Sequence, residues 1–178
     1  MRIGEPPSPS GQPEPEQDRP AWLLPEAWQR AELVVWGAHG GAGTTTLATW
    51  LQPAWDMGPA RPAAHPRYQA TVVAARPLVI ACRPTAWSAR AATSAVTAVT
   101  KAGGQVAVLA IVSDGWPEPA VATARFRLLE AQVGAVVRIP FVPGLRLADD
   151  PASVGLPRRV LRALDQIRAA TGGTPHFR

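Results

Sequence analysis

The residues with the clearest chemical potential form a glycine- and threonine-rich segment at 37–46, which reads GAHGGAGTTT. Glycines let the backbone turn so that successive N–H groups point to one side and form a concave site for an anion. The segment lies between an apolar run and the start of an expected helix, which is the position of a phosphate-binding loop. Thr45 occupies the position whose hydroxyl binds Mg²⁺ in such loops. The pattern predicts a phosphate site, with a purely structural glycine turn as the alternative.

The strict phosphate-loop pattern GxxxxGK[ST] is only partly met. With Gly43 as its second glycine, the first glycine position holds Ala38 and the lysine position holds Thr44. A charge-assisted hydrogen bond contributes about 1.5–3 kcal/mol, so losing this cation weakens nucleotide binding about 10–100-fold. The same cation stabilises the transition state of phosphoryl transfer. We therefore expect weak binding and little or no hydrolysis.

The segment more closely resembles the deviant phosphate loop KGGxGK[ST] of the ParA/MinD family of P-loop NTPases. The matching residues, with the start of the following helix, are His39, Gly40, Gly41, Ala42, Gly43, Thr44, Thr45 and Thr46. Both family lysines are absent, and His39 and Thr44 stand in their places. The resemblance implies ATP or another nucleotide as the ligand, with Mg²⁺ at Thr45, in a reduced relative without strong ATPase activity.

A second candidate is Asp114, which follows an apolar run at 106–112. An acidic residue just beyond the carboxyl end of a strand can hold Mg²⁺, in the manner of a Walker B residue. The resemblance offers another role, because a family Asn at this place contacts the nucleotide base. The third interpretation is a turn or helix-cap residue, which the neighbouring Gly115 and Pro117 favour.

The segment at 139–148, IPFVPGLRLA, favours the base-proximal role among the two functional ones. It is similar to the family's IPYDPxxRxA stretch, whose loop packs beside the base, and this places Pro143 at the nucleotide. The family's switch segments and hydrolysis-linked DxxG strand have no counterpart between the first helix and Leu78. Asp56 is the only carboxylate of that proline-rich interval, which agrees with an inactive relative.

The elements that must position these residues alternate along the chain. Strands are expected at 33–36, 78–82, 106–112 and 135–139, and helices at 44–51, 85–102, 119–133 and from 157 onward. The interval 52–76 is predicted to be mostly loop, with an edge strand at 70–74. Near-continuous apolar strands alternating with helices are typical of a parallel sheet covered on both faces. We predict a three-layer α/β fold, a reduced form of the P-loop NTPase architecture.

Composition places this domain in a cytosolic context. Residues 1–30 are proline-rich and expected to be disordered, the domain spans 31–172, and 173–178 form a flexible tail. The first ten residues lack the apolar segment of a signal peptide, and no run is apolar enough to span a membrane. The single cysteine excludes an internal disulfide.

Partners are inferred from the resemblance and from charge. The resemblance implies docking on protein partners in plasmid partition, conjugal transfer or secretion, and it allows a homodimer. Only one of the 18 basic side chains is a lysine, a composition that looks actinobacterial. Arginines near the last helix are candidates for nucleic-acid contact, although a solvated helix face is the default interpretation. The alternative function is a protein-interaction domain in which the glycine loop is a relic and Trp22–Trp28 or the arginines make the contacts.

Overall fold

The computed structural model describes residues 30–60 and 76–172, and the fold consists of one sheet and four helices in that part of the chain. In chain order the elements are β1 (Leu33–Gly37), α1 (Thr44–Trp50), β2 (Ala54–Pro59), β3 (Leu78–Cys82), α2 (Ala86–Lys101), β4 (Val108–Val112), α3 (Ala120–Glu130), β5 (Ala135–Ile139) and α4 (Arg158–Ala170). Two short 3₁₀ turns, Pro143–Arg146 and Pro151–Ser153, lie between β5 and α4.

The five strands form one all-parallel sheet in the order β2-β1-β3-β4-β5. This confirms the predicted parallel α/β architecture. Because β1 lies between β2 and β3, the strand order reverses there. Ligands of doubly wound sheets bind at such a reversal, outside the carboxyl ends of the strands. The loops after β1 and β3 therefore occupy the position in this fold where a site is most expected.

Two apolar layers sandwich the sheet, because successive side chains of a strand point to opposite faces. On one face, Val35 and Ala81 pack with α1 and α4, through residues such as Leu47 and Leu164. On the other face, Ile80 and its neighbours pack with α2 and α3. The connection after β1 thus leads to one face of the sheet, and the connection after β3 leads to the opposite face. Because these connections diverge, a crevice opens between the ends of the two strands.

The main difference from the sequence prediction is β2, which forms in an interval predicted to be mostly loop. Only Trp55 of this strand is buried, and the strand bears no alternating apolar pattern. The sequence pattern places Leu161 with Val160, Leu164 and Ile167 on the apolar stripe of α4, but the Leu161 side chain is exposed. The predicted edge strand at 70–74, the terminal segments and Trp22–Trp28 lie outside the described residues.

The four helices were predicted with small errors at their ends. Thr85 is the N-cap of α2, and its side chain accepts a hydrogen bond from the Ser88 N–H at 3.1 Å, as its position before an alanine-rich run predicts. In the described part of the chain, no helix combines the length and the apolar character that crossing a membrane requires.

Cys82 ends β3 with its side chain in the buried layer beneath α2. Burial, followed by the nearby negative charge of Glu118, raises the pKa of its thiol to about 12. Since the thiolate is the reactive species, we expect the folded protein to resist labelling by a disulfide reagent at pH 8. The denatured chain should react rapidly with one equivalent. Fast labelling of the folded protein would contradict this prediction, and the denatured sample is the control.

Candidate functional site

The glycine-rich loop turns sharply between β1 and α1. Gly40 and Gly41 form a turn, and Gly41 and Gly43 have left-handed φ values of 74° and 87°. Gly43 is also the N-cap of α1, and it packs so closely that an added Cβ would lie 3.3 Å from Val112 at the end of β4. Left-handed residues alternating with Ala42 aim successive N–H groups toward one side, which is the geometry of an anion nest.

The backbone N–H groups from His39 to Thr46 have no hydrogen-bond acceptor among the described residues, and the first bond of the helix is Leu47 N–H to the Gly43 carbonyl. Gly40 and Gly41 are exposed, and the N–H groups of Thr44–Thr46 belong to the first turn of the helix, which has no intrahelical acceptor for them. The loop therefore presents a run of donors that an anionic ligand can satisfy.

Thr44, which holds the lysine position of the pattern, turns its side chain into the loop. It is 7% exposed, and its hydroxyl packs directly against Gly37, where a Cβ would clash with it. Among the described residues, no buried side-chain polar atom lacks a hydrogen-bond partner, so this hydroxyl is not an unsatisfied buried group. The side chain is too short to extend along the phosphates as a lysine does, so no cation comes from this position.

His39, at the other lysine position, does not extend into solvent. Its ring is buried, Nδ1 lies 2.7 Å from the Gly40 carbonyl, and Nε2 lies 3.4 Å from the backbone N–H of Arg83. The ring also meets Trp87 edge-on, with centroids 4.8 Å apart. A neutral imidazole with its proton on Nδ1 satisfies both polar contacts. His39 thus joins the glycine loop to the start of α2.

Arg83 follows β3 directly and reaches across the crevice to the loop. Its Nε donates to the Gly41 carbonyl at 2.9 Å, and Nη1 donates to the Ser113 carbonyl at 3.3 Å. The guanidinium therefore bridges the ends of three neighbouring strands. From the sequence, Arg83 and Arg90 are both arginines that could reach the loop from a neighbouring element, and neither is assigned to the site; the place of Arg83 directly after the strand beside β1 is the feature that favours it.

The loops after β4 and β5 contact each other at the same edge of the sheet. Asp114 accepts the Trp116 N–H at 3.0 Å, which closes a local turn, and its carbonyl accepts from Arg146 at 3.3 Å. The Arg146 guanidinium lies 4.8 Å from the centre of the Phe141 ring. Asp114 thus makes the contact of a turn residue, while Pro143 begins the 3₁₀ turn on the neighbouring loop.

A cavity of about 210 Å³ opens beside these loops. Its lining comes from the ends of β4 and β5, from the loops after β3, β4 and β5, and from an ion pair. The lining residues are Pro84, Ile111, Ser113, Trp116, Glu118, Arg138, Ile139 and Pro140. Small-molecule pockets usually measure about 300–1,000 Å³. This one accommodates a single ring rather than a whole nucleotide.

The ion pair of the cavity wall joins Glu118, before α3, to Arg138 of β5 through contacts of 3.0 and 3.1 Å. The hydrogen bond from Arg138 holds the pKa of the Glu118 carboxyl below its ordinary value of 4.5, although burial opposes this. The pair therefore stabilises the fold above pH 4.5, the ordinary pKa of the carboxyl group. This contribution is lost as the pH falls through the lower pKa of Glu118 in the folded protein.

We expect Glu118→Gln to lower the free energy of unfolding at pH 7 by about 0.5–1 kcal/mol, the range of partly exposed pairs. Urea denaturation at pH 7 and at pH 3 measures the loss, which should shrink toward zero at the lower pH. Asp149→Asn removes a charge from an exposed residue and serves as the control. A loss that is equal at both pH values would contradict the assignment.

The structure brings some of the predicted site residues together and separates others. His39 and Gly41 meet Arg83, and Gly43 meets the end of β4, so the loop contacts the ends of β3 and β4. Thr45 is exposed beside the nest. Asp114 and Pro143 lie on the loops after β4 and β5, and the described contacts do not join either of them to Thr45.

The arginines of α4 divide into two groups. Arg168 donates to the Trp50 carbonyl at 2.9 Å and pairs with Asp165, so it ties α4 to α1. Arg158, Arg159 and Arg162 are exposed. Arg159 also donates to the Phe141 carbonyl at 3.3 Å, so this solvated helix face carries two ties to the rest of the domain.

Comparison of the chain with protein-family models, with curated proteins and with solved structures finds no match in any of the three.

Proposed function

We propose that this chain is a degenerate ParA/MinD-like P-loop protein that binds a nucleotide weakly with Mg²⁺ and hydrolyses it little or not at all. The observation that supports this most is the run of N–H groups from His39 to Thr46, directly after β1, for which no described residue supplies an acceptor. Oriented backbone dipoles of this kind favour phosphate over neutral ligands. The family assignment itself rests on the resemblance of the loop and of the 139–148 segment.

The position of the loop supports the same proposal. It lies at the reversal of strand order, where doubly wound folds bind phosphate-bearing ligands. Flavodoxin-like proteins share this strand order and bind a flavin nucleotide there, so the fold alone does not choose the nucleotide. We infer that the phosphates lie on the loop and the Thr45 hydroxyl faces the metal.

Titration calorimetry with ADP, ATP and pyrophosphate, each with and without Mg²⁺, tests the proposal. We expect weak binding of all three, a Mg²⁺-dependent part that Thr45→Ala removes, and ATP turnover no higher than background. Absence of binding by every polyphosphate would overturn the nucleotide function, and turnover that Thr45→Ala abolishes would overturn the proposed inactivity.

A matched pair of glycine substitutions separates loop geometry from general stability. Gly41 and Gly103 both have left-handed φ values, 74° and 78°, and both face open space. Alanine at either position costs about 1–2 kcal/mol of backbone strain. Both variants should lose similar stability, whereas only Gly41→Ala should weaken pyrophosphate binding, by about tenfold. Equal binding by the two variants would show that the nest is not the site.

The second candidate function is a protein-interaction domain in which the glycine loop is a relic; the accessory role in plasmid partition, conjugal transfer or secretion belongs to the first function. Three exposed apolar side chains near the carboxyl edge of the sheet favour the interaction function. They are Trp87, Trp116 and Leu147, which are 59%, 76% and 93% exposed. Exposed apolar groups gathered on one side mark binding surfaces. Under this function alone, no nucleotide binds and Thr44→Lys changes nothing.

A further inference from the structure

The cavity of about 210 Å³ beside the loops after β3, β4 and β5 has room for one ring. An apolar cavity of about 150 Å³ already holds benzene, so this volume admits a six-membered ring with one or two small substituents. Pro84, Ile111, Ile139 and Pro140 give the cavity a mainly apolar wall. Contact with such a wall removes a flat ring from water, and this burial favours binding.

Trp116 adds an aromatic surface to the open side of this cavity. The residue is 76% exposed although it lines the cavity. The backbone around it is held in place, because the Trp116 N–H donates to the Asp114 carboxylate at 3.0 Å and the Gly115 N–H donates to the Ser113 hydroxyl at 3.2 Å. A flat ligand that stacks on this indole therefore gains contact area without the cost of ordering a loop.

The ion pair in the cavity wall determines which ring fits. Among the described residues that line the cavity, Glu118 and Arg138 carry the charges, so the lining has no net charge. The Glu118 carboxylate accepts from Arg138 twice and from the Thr123 hydroxyl once, which leaves one of its about four lone-pair sites. The pair uses the Nε and Nη2 donors of Arg138 and leaves Nη1. The wall thus offers one acceptor beside further donors.

We propose that this cavity is a binding site for a neutral six-membered heterocycle with a ring N–H next to a carbonyl, as in pyrimidine bases and pyridones. The ring N–H donates to the remaining position of the Glu118 carboxylate, and the adjacent carbonyl accepts from Arg138. The ring lies between the Trp116 indole and the apolar wall. A charged ring would bring an unpaired charge to a lining that has no counter-charge to give.

This inference goes beyond the proposed nucleotide function and does not rest on it. The residues that line the cavity lie outside the glycine loop, and the ligand needs no phosphate. Ring binding and pyrophosphate binding are measured in separate titrations, so the failure of one is distinguishable from the failure of the other.

Titration of the isotope-labelled native chain with uracil, followed by NMR, tests the inference. We expect a dissociation constant of about 1 mM, as for a ligand of this size, with saturable shifts of the Trp116 indole N–H signal. Uracil methylated on both ring nitrogens keeps the ring but lacks its donors, and it should bind at least about fivefold more weakly. Absence of saturable shifts with uracil, or equal binding of the two rings, overturns the inference.

Two exposed tryptophans at the same edge of the sheet provide matched variants. Trp116→Ala and Trp87→Ala each remove an exposed indole, but Trp87 is not among the residues that line the cavity. Trp116→Ala should weaken uracil binding about 3–10-fold and Trp87→Ala should leave it nearly unchanged. Equal effects of the two substitutions would contradict the proposed place of the ring.

Glu118→Gln tests the role of the ion pair with a charged probe. The substitution removes the negative charge and leaves Arg138 as an unpaired cation in the lining. Orotate, which is uracil with a carboxylate on the ring, should bind the variant about tenfold more tightly than the native chain, and uracil should not gain. A native chain that prefers orotate to uracil would overturn the assignment of a neutral ligand.

Discussion

Thr44→Lys is expected to tighten pyrophosphate and ADP binding about 10–100-fold, as a restored charge-assisted contact predicts. The substituted side chain starts at the first residue of α1, where the Thr44 hydroxyl faces the inside of the loop. The lysine side chain must extend out of this buried position. Its ammonium group then pairs with a bound phosphate. Calorimetric titration of the variant against the native chain measures the gain.

Thr49→Lys is the matched control for this gain. It adds the same charge to α1, more than one turn beyond the loop, at a half-buried residue whose hydroxyl contacts the Thr45 carbonyl. Its effect should be limited to weak, salt-screened attraction. If both lysines tighten binding equally, the gain reflects net charge and the assignment of position 44 to the phosphates is wrong.

Gly134→Ala is expected to lower the free energy of unfolding by about 3 kcal/mol, at the upper end of overpacking effects. A Cβ at this residue would lie 2.6 Å from the Ala107 carbonyl oxygen, which is backbone and cannot rotate away. The clash also disturbs the hydrogen bond from Gly134 N–H to the Val106 carbonyl, 2.9 Å long, which begins the pairing of β4 with β5. Urea denaturation measures the loss.

Gly155→Ala is the control for this substitution. It has open space around its Cβ position and no left-handed φ. Its free energy of unfolding should change by less than about 0.5 kcal/mol, as for ordinary surface substitutions. A Gly134→Ala protein as stable as the native chain would mean that β4 and β5 separate more easily than their register indicates.

The strands that the sequence predicts best are the fully buried ones. Leu33–Gly37 and Leu78–Cys82, in which every residue is buried, form within one residue of their predicted ends. Burial on both faces leaves such a segment few alternatives to a central strand. For these elements, local composition and tertiary environment agree.

Strand β2 was missed because its pairing comes from the neighbour rather than from its own sequence. Asp56, Gly58 and Pro59 give it neither alternation nor strand propensity, and Trp55 alone is buried. The main-chain register with β1, such as Val34 opposite Trp55, holds it in place. Propensity arguments do not see a strand that is specified in this way.

The candidate site was predictable as a loop but not as a set of contacts. The glycine spacing predicted the turn, whose left-handed residues are Gly41 and Gly43. The contacts of His39 and Gly41 with Arg83 join residues more than 40 positions apart, with sequence separations of 44 and 42. Such contacts depend on β1 and β3 being neighbours, which strand patterns alone do not specify.

The hydrogen bonds that join α1 to α4 and to the turn at Pro151 have a consequence for biosynthesis. The Trp50 carbonyl accepts from Arg168, and the Trp50 indole N–H donates to the Pro151 carbonyl, over separations of 118 and 101 residues. A seven-residue helix is too short to be stable by itself. While the ribosome is still adding α4, the emerged glycine loop therefore lacks its supporting helix. The loop between β1 and α1 therefore reaches its final arrangement only after α4 has been synthesised.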